Sequence, residues 1–365
     1  MPSPRPNHPL ARADGFKIGV FSTNADGGLA ITTVPERWRA SWEDNVAAAT
    51  IADRAGLDFF LPIARWRGFG GATNTREHSF ETFTWASALA ALTQRIAVFA
   101  TVHVPLVHPI YAAKALATVD HVSGGRAGLN IVCGWNPQEF QMFGVTPDEA
   151  AYERADEWIE IIERAYTAPE PFDFNGRYYQ LKGVVSRPPS VQTPKPVTMN
   201  AAFGGPGRDF AARSCDMLFT TFTDIDDGAR HIEDITGRAR HVGRDIGVYT
   251  VCHVVCRDTQ DEAEAAYDRY ARHEADHAAV AAHMEGKRAF SKSHHEAAYV
   301  RHAQRFAGGA GSYPLVGTPE HIAGEIIAIS QTGFGGAALS FLNYTAELPD
   351  FCARVLPLLA EGGVR

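Results

Sequence analysis

At 365 residues, 45% hydrophobic and 21% charged, the chain has ample apolar material for a core and is no longer than one α/β barrel with insertions. A formal net charge of −8 without a Lys/Arg run leaves no nucleic-acid footprint, and no apolar run approaches the length of a membrane span. The five cysteines, Cys133, Cys215, Cys252, Cys256 and Cys352, are an odd, scattered set that reads as reduced thiols in a cytoplasmic protein rather than a disulfide framework.

Residues 1–15 are Pro-rich and polar, without the apolar core of a signal peptide, and are expected to form a flexible arm. Residues 16–365 are expected to form a single domain. Short apolar runs then alternate with amphipathic stretches. The runs predict strands at 17–21, 58–61, 96–101, 128–133, 196–200, 216–220, 248–256 and 337–341. Helices are predicted at 42–55, 80–91, 110–122, 152–165, 206–214, 229–242, 261–273, 319–330 and 348–359. Eight strands with helices between them are the pattern of parallel βαβ units, and eight strands close a (β/α)8 barrel. A doubly wound open sheet is the alternative, weakened by the lack of a Gly-rich dinucleotide turn after the first strand.

Two stretches exceed a minimal barrel, one after strand four and one after strand seven. Residues 167–194 read as a hairpin around Asn175-Gly176 with a Pro-rich return. Residues from about 273 to 313 read as a helical insertion ending in a mobile loop, GGAGSYP, of the kind that covers a barrel mouth. Cys252 and Cys256 lie in the apolar run VCHVVC, where core packing is the better reading than a metal site.

Chemistry in a barrel collects at the C-terminal ends of the strands, which selects the residues worth weighing. Asn130 interrupts the apolar strand GLNIVCGW, and Thr101 ends the strand before it. Each has a plain reading as a satisfied strand residue; together at the mouth they point to one small ligand. His103 and His108 follow strand three as acid–base or substrate-orienting candidates, and a metal reading lacks a third ligand. The loop Arg65-Trp66-Arg67-Gly68-Phe69-Gly70-Gly71 suits a wall over a flat anionic cofactor, or is an ordinary surface loop. Arg154 lies in the first turn of the helix beginning at Tyr152, where an arginine suits a phosphate or an ion pair with Asp148 or Glu149. The turn from Ala201 to Gly207 enters a helix through Gly204, Gly205 and Pro206 and offers backbone amides to a phosphate.

The run AAKALATVDHVSGGRAGLNIVCGWNPQEF, from Ala112 to Phe140, resembles the central signature of the bacterial-luciferase-like flavin monooxygenases. RWRGFGG before it and LVGTPEHIAGEI near the C-terminus extend the match. Within that superfamily the chain is similar to the pyrimidine monooxygenases, through RGFGG and ETFTWASALAALTQRI, and to the dimethylsulfone monooxygenases, through NADGGLAIT. The resemblance implies a TIM barrel, FMN used as FMNH2 from a separate NAD(P)H-dependent flavin reductase, O2 as co-substrate, and a homodimer or homotetramer. Carried over, it assigns Ala64, Arg65, Asn130 and Glu139 to the flavin, and Tyr152, Arg154, Ala155, Gly204 and Gly205 to its phosphate end. Gly204 stands where the pyrimidine enzymes have a Ser, Ala155 where they have a Tyr, and Arg65 where they have a Lys. Thr101 and Asn130 match the pair that holds O2 beside the flavin, which implies a flavin–oxygen adduct at N5 rather than only at C4a. Trp66, Arg67, Trp135, His103 and His108 are expected on the substrate side, with Arg67 and the two histidines as donors to a developing oxyanion.

The activity so implied is oxygenation of a small polar substrate such as a uracil-like cyclic amide. Oxygenation of a sulfone or sulfonate is the second reading. A flavin-binding protein without turnover and an F420-dependent dehydrogenase are the readings from other classes.

Overall fold

Each short apolar run of the sequence becomes a strand, and the strands close on themselves. The computed structural model describes residues 8–12, 14–134, 136–146, 150–290 and 305–365. Its barrel strands are β1 (Lys17–Phe21), β2 (Phe59–Leu61), β3 (Ala97–His103), β4 (Ala127–Val132), β7 (Val197–Ala201), β8 (Met217–Thr220), β9 (Gly247–Cys256) and β11 (Gly336–Ser340). They pair in parallel in that order; β8 pairs with β9, β9 with β11, and β11 returns to β1. This is the (β/α)8 barrel expected from the pattern, and the closure excludes the open sheet.

The strand period of two explains the core. Phe59, Leu61, Ala97, Phe99, Val197, Met199, Met217, Phe219, Tyr249, Val251 and Ala338 fill the barrel interior. The alternate residues, such as Ile18, Val20, Phe60, Val98, Ala100, Leu129 and Ile131, pack outward against the helices. Gly19 and Gly128 make room for two of the interior rings. A Cβ at either would come within 2.4 Å of the Phe59 or Phe99 ring, respectively. Leu10 joins the same interior cluster and the His8 ring sits edge-on to Phe99 at 6.1 Å. The described part of the stretch expected as an arm is thus packed against the barrel.

The helices that matter for the site are α2 (Thr82–Leu92), α3 (Pro109–Ser123), α4 (Pro137–Met142), α5 (Ala151–Thr167), α6 (Gly205–Ser214), α8 (Gln260–Asp268), α9 (His277–Phe290) and the short α10 (Phe306–Gly309). The remaining ones, α1 (Trp42–Ala55), α7 (Ile225–His241), α11 (Pro319–Gln331) and α12 (Tyr344–Glu361), complete the outer ring. The hairpin expected around Asn175-Gly176 forms as β5 (Phe172–Asn175) and β6 (Gln180–Val184), antiparallel and apart from the barrel.

One expectation is corrected. Residues 308–314, read as a mobile loop, end α10 and open a ninth strand of the main sheet, β10 (Tyr313–Gly317), with Gly308, Gly309, Gly311 and Ser312 buried. The cause is the length of β9. Its first four residues pair with β8, and its last five, Cys252 to Cys256, pair with β10. Without β10 those upper residues would leave backbone groups unpaired inside the fold.

Candidate active site

The register of β3 against β4 sets Thr101 opposite Asn130, one layer above the Phe99–Gly128 pair. Asn130 Nδ2 donates to Thr101 Oγ1 at 3.3 Å, and Thr101 Oγ1 donates to the Pro62 carbonyl at 2.6 Å. The sequence placed both side chains at one ligand. The structure divides their roles, because the only hydroxyl proton of Thr101 is committed to Pro62. Asn130 is 3% exposed, and its Oδ1 has no partner. A buried amide oxygen left in that state costs about 1–3 kcal/mol, so it marks a place where a ligand donor is due.

Beside this pair, Asn136 caps α4 by accepting from Gln138 N at 3.0 Å. The cap places Glu139 in the first turn, where it is 2% exposed. Glu139 Oε1 accepts from Arg65 Nη1 at 3.1 Å and from Trp66 N at 3.0 Å. His103 Nδ1 lies 3.8 Å from Glu139 Oε2, too far for a hydrogen bond. Burial first, and then the Arg65 guanidinium, lower the His103 pKa to about 4 against the opposing pull of Glu139. His103 is therefore a neutral imidazole at neutral pH.

A cavity of about 360 Å³ brings Ala64, Arg65, Trp66, Thr101, His103 and His108 together beneath Phe80, Phe83, Tyr111 and Phe143. Trp66 is half exposed at its rim, edge-on to Phe143 at 4.9 Å. Two substrate-side candidates stand differently, His108 in the cavity wall and Arg67 outside it. His108 is the N-cap of α3, its Nδ1 accepting from Ile110 N at 3.3 Å, so this nitrogen serves the helix rather than acid–base work. Arg67 is exposed, outside the cavity wall, and makes no hydrogen bond or ion pair among the described residues. Trp135 lies outside the described residues, as do Asp148 and Glu149.

Further round the mouth, α6 begins at Gly204 with no side-chain cap, so its first amides are left for another acceptor. Nothing lies within 4 Å of where a Gly205 Cβ would sit, which leaves open space over the turn. A Cβ on Gly207 would meet the Tyr152 hydroxyl and the Ala202 methyl at 2.5 Å each, so glycine there lets Tyr152 close on the turn. Arg154, in the first turn of α5, stacks 5.1 Å over the Tyr178 ring, and its charge opposes the rise that burial causes in the Tyr179 pKa. The hairpin supplies both tyrosines. Its loop is tied down by Glu157, which accepts from the amides of Arg177, Tyr178 and Tyr179 at 2.7, 2.9 and 3.2 Å. The Ala155 methyl is in the core, so only its backbone is left to face this turn.

Sequence reasoning missed one buried network. His253, in the VCHVVC run read only for its cysteines, bonds Ser340 Oγ at 2.8 Å and the Tyr270 hydroxyl at 2.5 Å. Tyr270 lies on a π-helical turn, Arg269–His273, that continues α8. The network pins that turn over the barrel mouth. Its only signal was a histidine at an inward-facing strand position, two residues after Val251.

Residues 16–335 match the luciferase-like monooxygenase family. The chain is 30% identical to the FMNH2-dependent dimethylsulfone monooxygenase of Pseudomonas putida, over 95% of this chain and 96% of that one. It is 28% identical to the pyrimidine monooxygenase RutA of Acinetobacter baylyi, over 95% of each. Among solved structures it superposes on a riboflavin lyase, solved with modified FMN and riboflavin, with a TM-score of 0.84, 21% identity, and coverage of 96% and 92%. The chain belongs to the luciferase-like monooxygenase family.

Proposed function

We propose that the protein oxygenates a small polar organic substrate with O2, using reduced FMN delivered by a separate flavin reductase. The observation that carries this reading is the arrangement round one barrel mouth. A dry polar wall from β2 to β4, with an unmet acceptor at Asn130, stands beside the uncapped N-terminus of α6. A flavin mononucleotide has matching ends, a polar ring edge and a phosphate, and the residues fit it. Bound in reduced form, it supplies the two electrons that activate O2.

The amides at Gly204 and Gly205, with Arg154 and Tyr152, would hold the phosphate. Ala64, Arg65, Asn130 and Glu139 would hold the ring edge. Thr101 holds the Asn130 amide in place, and the neutral His103 borders the substrate side without carrying a charge. The aromatic rim and the helices over the mouth exclude water, which keeps the electrons of reduced flavin from being wasted on O2 with release of hydrogen peroxide. The leading substrate class is a uracil-like cyclic amide. A sulfone is the second reading, favoured by the 30% identity to the dimethylsulfone enzyme.

The test is a parallel titration with FMN, riboflavin and F420, followed by turnover with NADH and a flavin reductase in air. FMN-selective binding with substrate-dependent O2 consumption is expected. F420 reduction would assign a dehydrogenase, and tight FMN binding with no turnover across cyclic amides and sulfones would assign a flavin carrier.

A further inference from the structure

Arg76 lies in the loop after β2, between the RWRGFGG and ETFTWASALAALTQRI stretches, and the fold holds it in an unusual state. Its backbone is left-handed, with φ 67°, a conformation that non-glycine residues rarely adopt. The turn is fixed to the loop after β1: Arg76 N donates to Asp26 O at 3.1 Å, as does Thr75 Oγ1 at 3.1 Å. The side chain is buried, 4% exposed, with Nε donating to Gly28 O at 3.1 Å and Nη2 without a partner among the described residues. A buried guanidinium normally sits on a carboxylate. Among the described residues, the carboxylates of the surrounding loops are engaged elsewhere: Asp26 with Arg37, Glu139 with Arg65, Glu77 with the Gly68 amide, and Asp276 with Thr73.

A second cation shares the place. The Arg76 and Arg65 guanidinium carbons lie 5.5 and 5.2 Å from the centroid of one ring, Phe69. Burial, and then Arg65, pull the Arg76 pKa down to about 9, which still leaves it charged at neutral pH. Phe69 in turn packs under α9 and α10, against Ala279, Met284 and Phe306. Glu139 balances Arg65, and the flavin phosphate proposed above does not neutralise Arg76. The α6 turn follows β7, three to four strands round the eight-stranded barrel from the loops after β1 and β2 that hold Arg76.

We propose that Arg76, with Arg65 beside it, is an anion-binding subsite under α9, and that the substrate, a cyclic amide or an organosulfur compound, also carries an oxyanion, a carboxylate or a sulfonate, that docks there. This deepens the monooxygenase reading and rests on it only in calling the anion a substrate. The experiment measures calorimetric affinities at constant ionic strength, for the protein with and without FMN. Propanoate is compared with propanamide, and methanesulfonate with dimethyl sulfone, so that each anion has a neutral partner of similar shape. At least one anion should bind tenfold or more tightly than its partner, and the two pairs distinguish carboxylate from sulfonate. Arg76→Gln should lose about tenfold for the anion and less than twofold for FMN and the neutral compounds. Arg76→Lys should fall between, since it keeps the charge and loses the planar fork. Equal affinity of both anions and their partners for the wild type overturns the proposal, whether or not the variants fold, and so does an absence of saturable anion binding. An Arg76→Gln loss as large for FMN as for the anion also overturns it, by making Arg76 a cofactor residue. Failure of the monooxygenase reading appears separately, as absent FMN binding with the anion preference of the flavin-free protein intact.

Discussion

Asn130 and Thr101 touch each other, yet their substitutions are predicted to differ. Asn130→Leu removes the unmet acceptor and the amide donor together. It should lower coupled turnover by about 10²–10³-fold, the usual range for a lost preorganised donor, while reduced flavin is still oxidised and H2O2 accumulates. Thr101→Val removes a hydroxyl already bonded to Pro62 and should cost clearly less. Equal losses, measured as product formed per NADH consumed, would show that the Thr101 hydroxyl itself meets the ligand. His103 carries a second prediction at this scale. Its pKa is about 4 in the fold and about 6.5 unfolded, so its contribution to stability is present above pH 6.5 and is lost as pH falls toward 4. Denaturant midpoints across that window should fall less steeply in His103→Gln, by about 3 kcal/mol in total. An unchanged slope would mean that His103 is not held neutral. The sequence named both residues because polar side chains at strand ends are conspicuous. It did not disclose Arg76, an ordinary arginine in TNTREH whose isolation is created by where its neighbours' carboxylates turn.

The hairpin and α5 act as one element around Arg154. Arg154→Ala should weaken FMN binding by about 10- to 100-fold, as expected for a charge-assisted hydrogen bond worth about 1.5–3 kcal/mol, and barely change riboflavin binding. Tyr178→Leu should weaken FMN less, because it removes the ring that orients Arg154 and leaves the charge. Equal losses for FMN and riboflavin in fluorescence titrations would remove the phosphate assignment. The hairpin itself was legible from Asn175-Gly176 between two β-prone runs. Its function was not, because Tyr178 and Tyr179 reach Arg154 only through the tie between the hairpin loop and Glu157. β10 was hidden for a related reason. Tyr313–Gly317 follows a Gly-rich stretch that reads as a loop, and only the unpaired upper half of β9 makes it a strand. His108 shows a second role that the sequence hid. It lines the cavity at the barrel mouth, and its Nδ1 also caps the helix that starts at Pro109.

For the whole molecule, eight apolar runs separated by amphipathic helices were enough to give the barrel, because strand period and strand number constrain closure together. The same pattern carries no information on what the mouth binds. That depends on a few side chains brought together from β1, β2, β3, β4, β7 and the helices over them, and on which of those side chains are left without partners. The account's central claim is that this mouth transfers an oxygen atom from O2 to an organic substrate. Its most direct test is mass spectrometry of the products formed under ¹⁸O2 with NADH, a flavin reductase and FMN, over cyclic amides, sulfones and small organic carboxylates and sulfonates. The account predicts one ¹⁸O atom in the product of at least one compound, and none when FMN or the reductase is omitted. Products whose new oxygen comes only from water, or a panel returned unlabelled while the bound reduced flavin is spent entirely on H2O2, would contradict it.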